Sequence, residues 1–230
     1  MKIIKVIFTI LLFAFSIVIL YFTVFSSKEK RFKMAEHSQG LYLSQTMFDI
    51  LKFQHPDYSD AYFEQSVAFN KRGEYAKGFE LLDKAIELDP KLHLGYRGWM
   101  KLRKLRDFDN ALNDFNRLDS LTPNFVDAPW GEDIDFLRGE CYFGKNEYQK
   151  AIESFNLNIK NIKEDWVDIH TFVYLGLCEY ELGNYEKSIS EFQRALKQSE
   201  YVPESYFGIA KSYQKLKEIE KAKENILNKI

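Results

Sequence analysis

Cysteine is nearly absent: the 230 residues hold two, Cys141 and Cys178. A single pair offers no disulfide framework, and each stands just before a tyrosine or a Glu-Tyr pair in a helical pattern. Both therefore read as small buried hydrophobes. Proline is scarce at 5 residues, which excludes extended or proline-rich linker sequence as a main component. An excess of one charge is missing too, since 32 Lys+Arg face 34 Asp+Glu for a net charge of −2. That balance argues against a general nucleic-acid binder, whose footprint is a strong basic surplus. Catalytic signatures are also lacking: there is no G-x-x-x-x-G-K-[ST], no G-x-S-x-G, no H-E-x-x-H and no C-x-x-C. His37, His55, His93 and His170 include no pair at ligand spacing, and Asp107-x-Asp109 breaks off as a calcium loop at Asn110-Ala111. Glu132, Asp133 and Asp135 read as acids at a helix N-terminus. No catalytic, cofactor or metal residue is expected, and the chain is read as non-catalytic.

What is present begins with a run from Val6 to Phe25 that carries no charge. At about 1.5 Å per residue it reaches about 30 Å, the depth of a hydrocarbon core. Lys2 and Lys5 precede it, and Lys28, Lys30, Arg31 and Lys33 follow. The run predicts a single-pass membrane helix in residues 1–27, with a cleaved signal peptide, cut near Val24 and Ser26, as the alternative. Basic residues on both sides leave open which face of the membrane carries the rest. Residues 28–40 are polar and predict a linker. The remainder, 41–230, predicts one all-helical domain, opening with a helix over Leu41–Phe53 that stops before Pro56.

The rest of the chain repeats itself. Tyr185, Ser188, Phe192 and Ala195 return as Ile219, Ala222, Ile226 and Lys229, a period of about 34 residues that marks stacked helix pairs. Tyr148-Ala151-Phe155, Phe108-Ala111-Phe115 and Tyr75-Gly78-Leu82 share the same skeleton. Five units follow, over about 59–90, 92–123, 132–163, 169–202 and 203–230, each predicting two amphipathic helices and a short turn. In the fourth, Gly183 stands where a helix needs a left-handed residue to stop, and Asn184 suits the next helix start. Ser66, Gly139, Gly176 and Ala210 each lie twelve residues before a second small residue, and these pairs predict close helix approach. The second unit reads as one residue short in its first helix, which leaves the register open, with Gly98 or Trp99 at the close-packed position. Asp135 and Glu179 stand where apolar residues are expected, and an unusual inter-repeat segment, 124–131, carries Pro129 and Trp130.

These residues resemble the tetratricopeptide repeat family. The fifth unit carries the pattern best, in Tyr206, Ile209, Ala210, Tyr213, Leu216, Ile219, Ala222 and Ile226; the first supplies Tyr62, Phe69, Tyr75, Ala85 and Pro90, and the third Gly139, Tyr142, Tyr148, Ala151 and Phe155. The resemblance implies an all-α, right-handed superhelical solenoid of about five helix pairs. It also implies a concave groove that takes a peptide or helix of a protein partner. Carried over by motif position, that groove holds Phe63, Val67, Asn70 and Lys71, then Phe136, Glu140 and Phe143, then Val173, Leu177 and Tyr180, and last Phe207, Lys211 and Lys215. Asn70 and Lys71 also resemble the start of the family's carboxylate clamp, without a continuation. Arg97, Lys101, Arg103, Lys104 and Arg106 read first as a solvated helix face, with a candidate basic patch for acidic segments or anionic lipid as the functional alternative. Ile226, Leu227 and Ile230 make self-association a further expectation. The whole reads as a membrane-tethered adaptor, with an accessory subunit of an envelope enzyme or secretion complex as the alternative and an enzyme with an unrecognised site as a minor one.

Overall fold

The computed structural model describes residues 2–21 and 26–227. The described residues form thirteen α-helices and no strand, and they fall into two compact units, Met1–His93 and Leu94–Ile230. The first unit contains α1 (Lys2–Leu20), α2 (Lys28–His37), α3 (Tyr42–Gln54), α4 (Ser59–Lys71) and α5 (Tyr75–Leu88). α6 (Pro90–Met100) begins in the first unit and ends in the second. The second unit continues with a π-helical turn (Lys101–Leu105), α7 (Phe108–Leu121), α8 (Ile134–Gly144), α9 (Tyr148–Ile162), α10 (Ile169–Glu181), α11 (Tyr185–Gln198), α12 (Pro203–Lys215) and α13 (Ile219–Leu227).

In the first unit the expected linker is a helix instead. Ser27 caps α2 by accepting from the Lys30 amide, and the helix lies on α3 through Phe32, whose ring meets that of Phe48 at 6.0 Å. The Ser44 hydroxyl donates to the Ala35 carbonyl at 2.6 Å, with both residues fully buried. Phe32 and Ala35, three residues apart, supply a narrow apolar stripe to a segment otherwise dominated by charge. Ahead of it, α1 is apolar on every face, and its side chains from Ile4 to Tyr21 are all exposed. It ends at Leu20, and no helix among the described residues is long and apolar enough to cross a membrane. The expected span thus falls short as described, and its last residues, 22–25, lie outside the described residues together with the cleavage position at Val24.

The hairpins of both units share one turn device. Each reverses at a left-handed residue: Gly73 at φ +79° and Gly183 at φ +80°, and a non-glycine in the other three, Arg106, Asn146 and Lys217. The amide that follows then closes the turn onto the fifth residue back, as when Asn184 donates to the Glu179 carbonyl at 2.8 Å. Asn184 does stand at the start of α11, but its side chain does not cap that helix; the amide Nδ2 donates to Glu179 Oε2. That bond explains how Glu179 is tolerated at an apolar position. Asp135 is tolerated because Arg138 pairs with it at 3.0 Å and Asn161 donates to it.

Small residues set the packing. A methyl at Gly139 would lie 2.5 Å from the Phe155 ring, one at Gly98 2.6 Å from Phe115, and one at Gly176 2.8 Å from Phe192. All three phenylalanines are fully buried, each filling the space its glycine leaves. Gly98, not Trp99, therefore occupies the close-packed position of the second repeat. Its distance to Ala111 is one residue longer than in the other repeats, and the π turn over Lys101–Leu105 absorbs the excess. There the closing amide, Asp107, reaches back six residues to the Lys101 carbonyl rather than five.

Candidate partner-binding cleft

Of the residues assigned to the groove, Lys71, Phe207, Lys211 and Lys215 are exposed, and Phe63, Phe143, Leu177 and Tyr180 are half-buried. Val67, Asn70, Phe136, Glu140 and Val173 are buried; Val67, Asn70 and Val173 pack between helices, while Phe136 and Glu140 stand in the wall of a cleft in the second unit. At the C-terminal end of the second unit, the Lys211 ammonium lies 4.8 Å from the Tyr180 ring centre and 5.6 Å from that of Phe207. These three make one accessible aromatic and cationic face. Phe143 belongs more to the core, edge-on to Tyr148 and to Tyr174 at 5.2 Å. Side chains beyond Asn225, on which self-association was expected, are outside the described residues.

The basic patch is largely neutralised within the unit. Arg97 donates through Nε and Nη2 to Asp114, and Lys101 donates to the same carboxylate at 2.7 Å. Arg103 pairs with Glu140 at 2.5 Å and with Glu132. Only Lys104 and Arg106 reach the surface, and they lie over the rings of Trp99 and Phe108. Five cations in ten residues looked like a field; three of them are spoken for by acids on other helices or loops.

Those acids mark a cleft of about 520 Å³ in the second unit. The π turn contributes Arg103, α8 contributes Phe136 and Glu140, α9 Asn158 and Ile162, and α10 His170 and Tyr174. The loops before α8 and α10 add Glu132, Asp133, Trp166 and Asp168. Two helix starts fix the loop acids. Asp133 caps α8 by accepting from the Asp135 and Phe136 amides, and Asp168 caps α10 by accepting from the His170 amide at 2.8 Å. The reading of Glu132, Asp133 and Asp135 as helix-start acids fits Asp133, the cap, and Asp135, in the first turn of α8; Glu132 instead accepts from Trp99 Nε1 at 2.9 Å as well as from Arg103.

Glu140 is the buried centre of this network. Its Oε1 accepts from Arg103 and from the Tyr174 hydroxyl at 2.9 Å. Its Oε2 is buried with no hydrogen-bond partner among the described residues. Leaving such an acceptor unmade costs about 1–3 kcal/mol. Burial pushes the Glu140 carboxyl above its ordinary range, against the pull of Arg103. Burial also raises Asp133, and it carries Tyr174 well above the usual phenol value with help from the Glu140 charge. Burial alone would lower Arg103, but Glu140 and Glu132 outweigh it and hold the guanidinium charged. At the rim Trp166 is 81% exposed. Sequence reasoning passed over Trp166 and Tyr174; an isolated tryptophan in a polar inter-helix turn was the available signal.

The remaining candidates are structural. Cys141 and Cys178 are fully buried, and burial pushes each thiol up to about 12. His93 is 1% exposed and stacked on Phe63 at 4.8 Å, because the aromatic face of α4 covers it. His170 is exposed, with Nδ1 2.9 Å from Asp168. No group among the described residues could hold a metal ion. Trp130, in the unusual segment, packs on Tyr96 at 4.9 Å and Trp99 at 5.9 Å.

Paired helices turning on a left-handed residue recur in both units, and in the second a glycine stands opposite a buried phenylalanine in each of three successive repeats. Residues 44–93, 171–199 and 203–227 each match the tetratricopeptide repeat. These three segments carry tetratricopeptide repeats. Among sequence relatives, the DnaJ homolog subfamily C member 3 of Gallus gallus is 34% identical over 98 residues, 42% of this chain and 19% of the relative. The Rattus norvegicus protein of the same name is 24% identical over 151 residues, 61% of this chain and 29% of the relative. The chain thus spans a small part of the curated relatives it matches. Among solved structures, PilW, a widely conserved type IV pilus biogenesis factor, superposes with a TM-score of 0.65 at 13% identity, over 86% of this chain and 90% of PilW. YrrB, a tetratricopeptide repeat protein with an unusual peptide-binding site, gives 0.62 at 16% identity, over 78% and 88%. At these identities the likeness is one of fold.

Proposed function

We propose that this protein is a non-catalytic adaptor that holds segments of partner proteins and is tethered to a membrane by its N-terminal apolar run. The observation that carries the first half is the open face of Tyr180, Phe207 and Lys211 on tetratricopeptide helices. Two aromatic rings and an ammonium held together there offer apolar contact and charge to a bound segment at little ordering cost. YrrB carries a peptide-binding site on the same fold, which supports the reading. A photoreactive residue at Phe207 should cross-link a discrete partner in the protein's own cells, while one at the exposed Lys187 should not. Adducts at neither position, or equal adducts at both, would refute the adaptor.

The tether rests on the charge-free run from Val6 to Phe25 and on the exposure of the α1 side chains from Ile4 to Leu20. An apolar surface of that size is unfavourable in water, and burying it in lipid removes the cost. The protein should remain in the membrane pellet through alkaline carbonate extraction, and Leu11→Arg with Phe15→Arg should release it. Release of the unaltered chain would refute the tether. The second reading is an accessory subunit of an envelope assembly. It is favoured by the likeness to PilW, named as a pilus biogenesis factor, and it differs in partner rather than in binding physics.

A further inference from the structure

We infer that the cleft between the π turn, α8 and α10 is a pocket for an arginine side chain presented by the partner segment. This deepens the adaptor reading and rests on it. The cleft is lined by four carboxylates, Glu132, Asp133, Glu140 and Asp168, against one guanidinium, Arg103, whose charge two of those acids already share. The excess is negative, so an incoming cation is favoured and an anion is opposed. The walls add Phe136, Tyr174 and the exposed Trp166, aromatic faces that attract a cation through the ring quadrupole.

A second observation points the same way. Glu140 is 7% exposed, and its Oε2 is a buried acceptor left unpartnered on the wall of the cleft. A carboxylate with one oxygen committed to Arg103 and Tyr174 still has lone pairs for one further N–H donor. Among side chains, arginine alone combines a fixed charge, several donors and a planar face that stacks on tryptophan. A cleft of about 520 Å³ has room for such a side chain but not for a folded element. Lysine offers the charge without the plane and is the weaker ligand here.

The test uses the full chain in mild detergent and a fluorescent ten-residue peptide with three arginines spaced by glycine and serine. Matched peptides carry citrulline, lysine or glutamate at those positions. The arginine peptide should bind at least tenfold more tightly than the citrulline peptide and several-fold more tightly than the lysine peptide, and the glutamate peptide should not bind. Trp166→Ala should weaken the arginine peptide about fivefold with an unchanged melting curve, since that side chain is mostly in solvent. Glu140→Gln should weaken it as well. Equal affinity for arginine and citrulline, tighter binding of the glutamate peptide, or an arginine affinity indifferent to Trp166→Ala would each overturn the assignment. If Phe207 still cross-links a partner in that event, the adaptor survives and only the arginine pocket falls.

Discussion

Phe192 is held between two glycines on different helices, and that geometry makes the sign of one substitution a test of the packing. Its ring is fully buried, with Gly176 of α10 on one side and Gly208 of α12 on the other. A methyl at Gly208 would lie 2.3 Å from ring atoms Cε2 and Cζ, well inside contact distance, and the ring cannot swing away because Gly176 leaves no more than a methyl-free gap. In an open helix interior, Gly→Ala stabilises by about 0.8–1.0 kcal/mol. Overpacking a full core costs about 1–3 kcal/mol. At this separation the upper part of that range applies, so Gly208→Ala should destabilise by about 1–2 kcal/mol net. The melting temperature should fall by about 2–4 °C per kcal/mol, followed by circular dichroism at 222 nm. Phe192→Ala alone should cost about 3–5 kcal/mol. With the ring gone, Gly208→Ala should change sign and stabilise by up to about 1 kcal/mol. A double-mutant cycle reads this directly as coupling between neighbours. A Gly208→Ala variant that melts higher than the unaltered chain, or an effect that is the same in both backgrounds, would show that the ring does not sit against α12 as described.

Three further outcomes follow from the other packed groups. His93 is held below its ordinary value by burial, with Asp60 and Asp89 opposing; above about pH 6.5 both states are neutral and its burial costs nothing in charge. As the pH falls below that, the unfolded chain takes the proton first, so the first unit should lose stability, and His93→Phe should flatten this loss in pH-dependent melts. Asp114 carries both Arg97 and Lys101 while almost fully buried, so Asp114→Asn should destabilise by about 3–5 kcal/mol in urea titrations, whereas an effect under 1 kcal/mol would mark the cluster as a surface feature. Deleting Lys104 should convert the π turn to regular helix and leave the helical dichroism intact, whereas deleting Glu179 from α10 should cost most of that hairpin's stability.

The fold was legible where a rule acts within one repeat. The turn residues, the apolar stripes and the small-residue pairs recur at fixed spacing, so each repeat reports on the others. What failed were properties set by neighbours distant in sequence. His93 is polar and near a helix start, and nothing local shows that Phe63 will cover it. The five cations around Arg103 gave no hint that Asp114, Glu132 and Glu140 would meet three of them. The segment 28–40 was read as linker because charge outnumbers its two useful apolar contacts, Phe32 and Ala35, and only their fit against α3 gives them value.

The second repeat links the legible and illegible parts. The register fault there reads in the sequence as a residue missing from the first helix, whereas the spacing from Gly98 to Ala111, thirteen residues, is one too long. Each residue of an α-helix advances about 100° around the axis, so one inserted residue re-aims every side chain in the turn that absorbs it. The insertion is taken up over Lys101–Leu105, and Arg103 lies at its centre, joined to both Glu132 and Glu140. In a regular repeat the residue at that place would point elsewhere, and the carboxylates of the cleft would lose the cation that lets them stand together. Such π insertions concentrate at functional sites because they persist only where the altered direction is used. The departure from the repeat pattern and the charged cleft are therefore linked: the extra residue aims the guanidinium that holds Glu132 and Glu140 together on one side of the cleft, beside the two capping acids Asp133 and Asp168.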